Sequence, residues 1–71
     1  MSAFSVNVLE VDPAGQPLGE KRVVDDDEDI DRAEDLARDY AARLGSAEFD
    51  EEERRWLVKD ADGRLFQVWA G

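Results

Sequence analysis

From Ile30 to Leu44 the apolar residues Ile30, Ala33, Ala37, Tyr40, Ala41 and Leu44 fall at i, i+3, i+7, i+10, i+11 and i+14. That is one stripe of a helix with 3.6 residues per turn. Leu36 lies on its edge, and from Glu28 to Leu44 there is no Gly, no Pro and no β-branched residue except Ile30, so propensity agrees with the pattern. Asp25, Asp26, Asp27 and Asp29 crowd the start, where carboxylates accept free backbone N–H groups and meet the positive end of the helix dipole. Arg43 stands in the last turn and Gly45 follows, as suits a left-handed residue closing the helix. The pattern predicts a helix over Glu28–Leu44 that the remaining segments must use as cover.

Those segments read as two hairpins. Phe4 to Val11 alternates through Phe4, Val6 and Val8, then changes phase at Leu9 and Val11, as a strand with a bulge or with two buried faces does. Asp12-Pro13-Ala14-Gly15 is a turn: Asp bonds forward, Pro presets the second position and Gly supplies a positive φ. Leu18 to Val24, with Pro17, Gly19, Glu20, Lys21 and Arg22, reads as an edge strand. Gly45 to Glu53 reads as a polar connector with Phe49 as its one large apolar group. Arg55–Asp60 and Leu65–Trp69 read as two more strands around a second turn, Asp60-Ala61-Asp62-Gly63. The expectation is a single α+β domain over residues 1–71: a ββαββ unit with a four-stranded, mainly antiparallel sheet and one helix on one face. Numbering those four strands in chain order, 2-1-3-4 is the expected sheet order and 2-1-4-3 the alternative.

On such a sheet Phe4, Val6 and Val8 share a face with Trp56, Val58, Phe66 and Val68, while Leu9, Val11, Leu57, Leu65 and Trp69 point the other way. One helix covers one face. At roughly 25 cal/mol per Å2 of apolar area, leaving the second face wet forgoes several kcal/mol, a heavy loss for 71 residues. Leu57, Leu65 and Trp69 are therefore expected to form an association face for a second copy or a partner.

The charge map narrows function more than any motif does. The net charge is −10, and residues 25–53 carry 14 acids against three arginines, so the two flanks together are slightly positive. Asp31, Asp35 and Asp39 make an i,i+4 column about 6 Å apart that continues Asp25–Asp29. Glu48 and Asp50–Glu53 form a second acidic run. Part of this charge is expected to be solvated surface, stabilised by the pairs Glu28–Arg32, Glu34–Arg38 and Asp39–Arg43. Direct nucleic-acid binding is disfavoured because phosphate contact needs the opposite sign, and a basic partner surface is favoured on the same grounds. The candidate partner-binding residues are Asp25, Asp26, Asp27, Glu28, Asp31, Asp35, Asp39, Asp50, Glu51 and Glu52.

Chemistry finds little support. There is no Cys and no His, which removes thiolate ligands and the commonest general base. The hydroxyl groups besides Tyr40 are Ser2, Ser5 and Ser46, with no imidazole to activate them. Asp25-x-Asp27-x-Asp29 matches the opening of a calcium loop, but Ile30 stands where Gly is required and Leu36 where Glu is; helix capping explains those aspartates better. Arg54, Arg55, Lys59 and Arg64 beside Trp56 suit stacking on single strands, but are expected to pair across strands with Asp60 or the acidic loop. No cofactor, no metal and no enzymatic activity are expected. No apolar run approaches the 18 residues of a membrane span and no basic-then-apolar leader opens the chain, so a soluble cytoplasmic protein is the expectation.

The hairpin Trp56-Leu-Val-Lys-Asp-Ala-Asp-Gly-Arg-Leu65 resembles that of small uncharacterised bacterial domains ending in W-x-V-x-D-x-x-G-R, a likeness that implies the ββαββ architecture and no activity. In size and charge the chain also resembles phage-encoded inhibitors that imitate nucleic acid, anti-CRISPR proteins among them. That likeness implies an inhibitor seated on a nucleic-acid-binding surface. The alternative is a structural dimerisation domain whose acids serve only solubility.

Overall fold

The computed structural model describes residues 3–71. Strand β1 (Phe4–Val11) and β2 (Arg22–Asp27) precede helix α1 (Ile30–Leu44), and β3 (Ser46–Asp50), β4 (Arg55–Lys59) and β5 (Leu65–Ala70) follow it. The fold is α+β: one helix lies on one face of an antiparallel sheet of order β2-β1-β5-β4-β3. The sheet has five strands, not four. The segment read as a polar connector contains β3, in which Ala47 pairs with Val58 and Phe49 with Trp56. Three acids follow Asp50 and lower strand propensity, but backbone pairing to β4 overrides it.

That extra strand also decides the sheet order. It reverses the chain once more before Trp56, so β4 runs in the same sense as β1, and the next antiparallel neighbour available to β1 is β5. The expected order 2-1-3-4 is thereby overturned, and the alternative 2-1-4-3 describes the four strands other than β3. The most apolar strands, β1 and β5, take the centre, and the acid-rich β2 and β3 take the edges, where charge deters further pairing.

Two ends of the helix also differ from expectation. It begins at Ile30, because Asp25, Asp26 and Asp27 belong to β2, opposite Val6, Ser5 and Phe4. Without them the backbone of Phe4–Val6 would lack partners along its outer edge. Only Asp29 caps: its Oδ1 accepts the Asp31 N–H at 2.9 Å, and Asp27 Oδ1 accepts the Asp29 N–H at 2.9 Å. Asp29→Ala is expected to lower stability by about 1 kcal/mol, read as a shift in the urea midpoint without a change in slope. At the other end Gly45 has φ 171, extended and not left-handed. It is the single residue between helix and β3, and a Cβ there would lie 2.2 Å from the Lys59 carbonyl oxygen.

The core is small. Val6, Val8, Val58 and Val68 meet Ala37 and Ala41, with Leu36, Tyr40, Leu44, Trp56 and Phe66 around them. Ala33, Ala37 and Ala41 are the buried helix residues, so the stripe presents its smallest side chains to the sheet and the helix lies close on it. The two hairpin turns are alike. Asp12 Oδ1 accepts from Ala14 and Gln16 at 3.0 and 2.8 Å, and Asp60 Oδ1 from Asp62 and Arg64 at 2.9 and 2.8 Å. Gly15 and Gly63 take φ 87 and 83, the left-handed values expected of them.

Candidate functional site

Two surfaces draw on the residues singled out above: an acidic flank beside the helix, and the sheet face away from it. On the flank, β2 runs alongside the helix, and Asp25 and Asp27 of the strand share a crevice of about 410 Å3 with Asp35 and Asp39 of the helix, while Asp26, opposite Ser5 in register, alternates to the other face of the sheet. One base, Arg32, stands among these four carboxylates, 3.6 Å from Asp27. Two acidic segments separate in sequence thus become one surface, built by strand pairing on one side and helical periodicity on the other. Asp31 is exposed in the first turn, and Glu28 is exposed in the link between β2 and α1.

The second acidic run is not part of that surface. Asp50 ends β3, and its Oδ1 accepts from Glu52 and Glu53 at 3.0 and 3.3 Å, while Glu51 and Glu52 are exposed in the turn beyond. This turn belongs to β3–β4, across the sheet from β2. Between the two acidic regions a groove of about 500 Å3 separates the helix from β3–β4, and Arg38 and Arg54 reach it. Its aromatic wall is Phe49 against Trp56, ring centroids 5.0 Å apart at 59°. Arg54 holds a left-handed φ of 55, uncommon for a side-chain-bearing residue, and its guanidinium lies 3.8 Å from Glu34. Sequence reasoning missed this groove because Phe49 was placed in a connector; the alternation of Ala47 and Phe49 was the available signal.

The expected ion pairs are also rearranged. The pairs within 4 Å among the described residues are Arg32–Asp27, Arg38–Asp35, Arg54–Glu34 and Arg64–Glu10, in place of the three i,i+4 pairs and of a pairing to Asp60. An exposed i,i+4 pair is worth only a few tenths of a kcal/mol, so a carboxylate brought near by the tertiary fold readily replaces it. Among the described residues no group of three or more acids is disposed to hold a metal ion, and no helix is long and apolar enough to cross a membrane.

On the other face, strand register puts Leu9, Val11, Leu57, Leu65 and Trp69 on the side away from the helix, together with Asn7 and Gln67. Leu57 is 40% exposed, Leu65 and Trp69 are half-buried, and the turn after β1 covers Val11. Arg55 lies 4.0 Å over the Trp69 ring and donates to Gln67 Oε1 at 2.7 Å, a cation–π contact of the kind worth about 0.5–1 kcal/mol at exposed sites. Asn7 is a buried polar residue. Its Nδ2 donates to the Ser5 carbonyl at 3.2 Å and reaches that of Trp69 at 3.5 Å, while its Oδ1 has no partner among the described residues. A buried unpaired acceptor costs about 1–3 kcal/mol, so Asn7→Val, which also suits a central strand, is expected to raise stability by about 1 kcal/mol in thermal or urea unfolding.

No protein-family model matches the chain, and neither the curated proteins nor the solved structures contain a match to it.

Proposed function

We propose that the chain is an acidic binding module that occupies a basic surface of a partner protein, one that otherwise holds nucleic acid, and so acts as an inhibitor by imitation. The observation that carries this reading is the meeting of four carboxylates from β2 and α1, those of Asp25, Asp27, Asp35 and Asp39, beside a single arginine. Arg22 opens β2 opposite Val8, and the other lysines and arginines lie on the outer helix, on the loops and on β4. Such an uncompensated patch repels phosphate and attracts lysine- and arginine-rich surfaces. The likeness in size and charge to phage inhibitors, anti-CRISPR proteins included, points the same way, as does the lack of any His or Cys for chemistry.

A second reading is a structural module that dimerises and carries its acids for solubility; the uncovered sheet face favours it. Capture on the immobilised chain with mass spectrometry would name partners. Each captured basic protein would then be preloaded with labelled single-stranded DNA, and displacement by the chain followed by anisotropy. Displacement that weakens as salt shortens the screening length from about 10 Å at 0.1 M to about 3 Å at 1 M is the expected result. If no captured protein releases its DNA, the inhibitor reading fails and the structural one stands.

A further inference from the structure

We propose that two copies of this chain pair back to back through the open face of the sheet, with both helices outermost. Charge selects the occupant. Strand register assigns the acids Asp26, Glu48 and Asp50 and the bases Arg55 and Lys59 to this face, leaving it one charge negative while the whole chain is ten negative. Two molecules so alike in charge repel through nearly every other surface; here they approach with least penalty, and their acidic flanks stay apart.

The face also suits itself in detail. In sheets packed strand over strand, β3 and β4 of one copy cover β3 and β4 of the other about 10 Å away. A two-fold axis across the strands makes the contact isologous, each copy presenting the same patch to the other. The face also carries Leu57, 40% exposed, and Val23, 57% exposed, with Leu9, Leu65 and Trp69 half-buried.

The area is sufficient. Five strands at about 4.8 Å spacing and about 20 Å length give roughly 500 Å2 per face in flat projection, the part over Asn7 and Val11 being already buried within each copy. Two faces total about 1,000 Å2 before side-chain relief is counted, the area a specific interface must reach. The dimer is independent of the inhibitor reading, and it would display two acidic flanks on opposite sides.

Sedimentation equilibrium of the full chain from about 5 to about 300 micromolar, a range suited to a micromolar dissociation constant, tests the proposal. At about 0.5 M salt, where repulsion is screened to a few ångströms, the mass should climb from 8.0 kDa towards twice that value. Association should strengthen between about 0.1 and about 0.5 M salt, because the two molecules repel overall. Leu57→Glu and Val23→Glu, both at exposed positions, should each weaken association at least tenfold while the far-UV circular dichroism is unchanged; if one variant fails to fold, the other decides. A mass fixed at 8.0 kDa throughout would overturn the proposal and leave the face to a different partner or to none. Association untouched by the folded variants, or weakened by salt, would overturn it in favour of contact through charged surfaces.

Discussion

Gly45→Ala is expected to remove about 3 kcal/mol or more of folding stability, a large part of the roughly 4–10 kcal/mol typical for a domain of this size. The added Cβ would lie 2.2 Å from the Lys59 oxygen, 2.8 Å from its carbonyl carbon and 2.9 Å from the Asp60 Cα. All three are backbone atoms at the end of β4, so no side chain can swing aside. Relief requires moving the helix end or β4, and the one-residue connection between α1 and β3 leaves little slack. Urea unfolding reads the loss as a fall in midpoint at nearly constant slope. Gly15→Ala supplies the contrast: φ there is 87 with nothing within 4 Å, so the cost is the left-handed conformation alone, about 1–2 kcal/mol. Gly45→Asn discriminates further. Asparagine is tolerated in left-handed caps, and a mild effect would mean that Gly45 serves as a cap; an effect as large as that of alanine or larger is expected from crowding.

Reversing Asp31, Asp35 and Asp39 to lysine is expected to weaken capture of a basic partner at least a hundredfold, about 2.7 kcal/mol. Each reversal changes the local charge by two, and the set brings the chain from −10 to −4. Three lost attractions become three repulsions, each about 0.5–1 kcal/mol at an exposed surface, which together reach that figure. The fold loses little. Asp35 and Arg38, both more than half exposed, give up a pair at 3.7 Å, and Asp31 gives up a favourable place in the first turn, each worth a few tenths of a kcal/mol. In return, lysines at 35 and 39 face Asp25 and Asp27 across the crevice, where the native carboxylates repel one another. Unfolding measured beside binding should therefore show near-native stability. Intact capture by the folded triple variant at low salt would refute the acidic-flank reading and leave the sheet face as the remaining recognition surface.

Sequence and structure agree where the information is local. The helix stripe from Ile30 to Leu44 is a matter of periodicity, and the turns at Asp12–Gly15 and Asp60–Gly63 need only an aspartate oxygen and a glycine at positive φ. Alternation along β1, β4 and β5 is equally local, and so is the division of their side chains into a helix face and an open face. An acidic helix flank was legible too, since i,i+4 spacing sets the Asp35–Asp39 column without reference to the rest of the chain.

Asp25, Asp26 and Asp27 have poor strand propensity and stand where helix caps are common, so nothing near them in sequence announces β2. Their partners Phe4, Ser5 and Val6 lie some twenty residues away, and the unpaired backbone of that strand outweighs propensity. Likewise β3 follows from an edge on β4, and its presence reverses the chain and brings β5, not β4, beside β1. Gly45 shows the same division at a single residue. Its position after the last helical turn suggests a left-handed cap, yet what demands a glycine there is the Lys59 backbone, fourteen residues on, which only the folded sheet brings within reach.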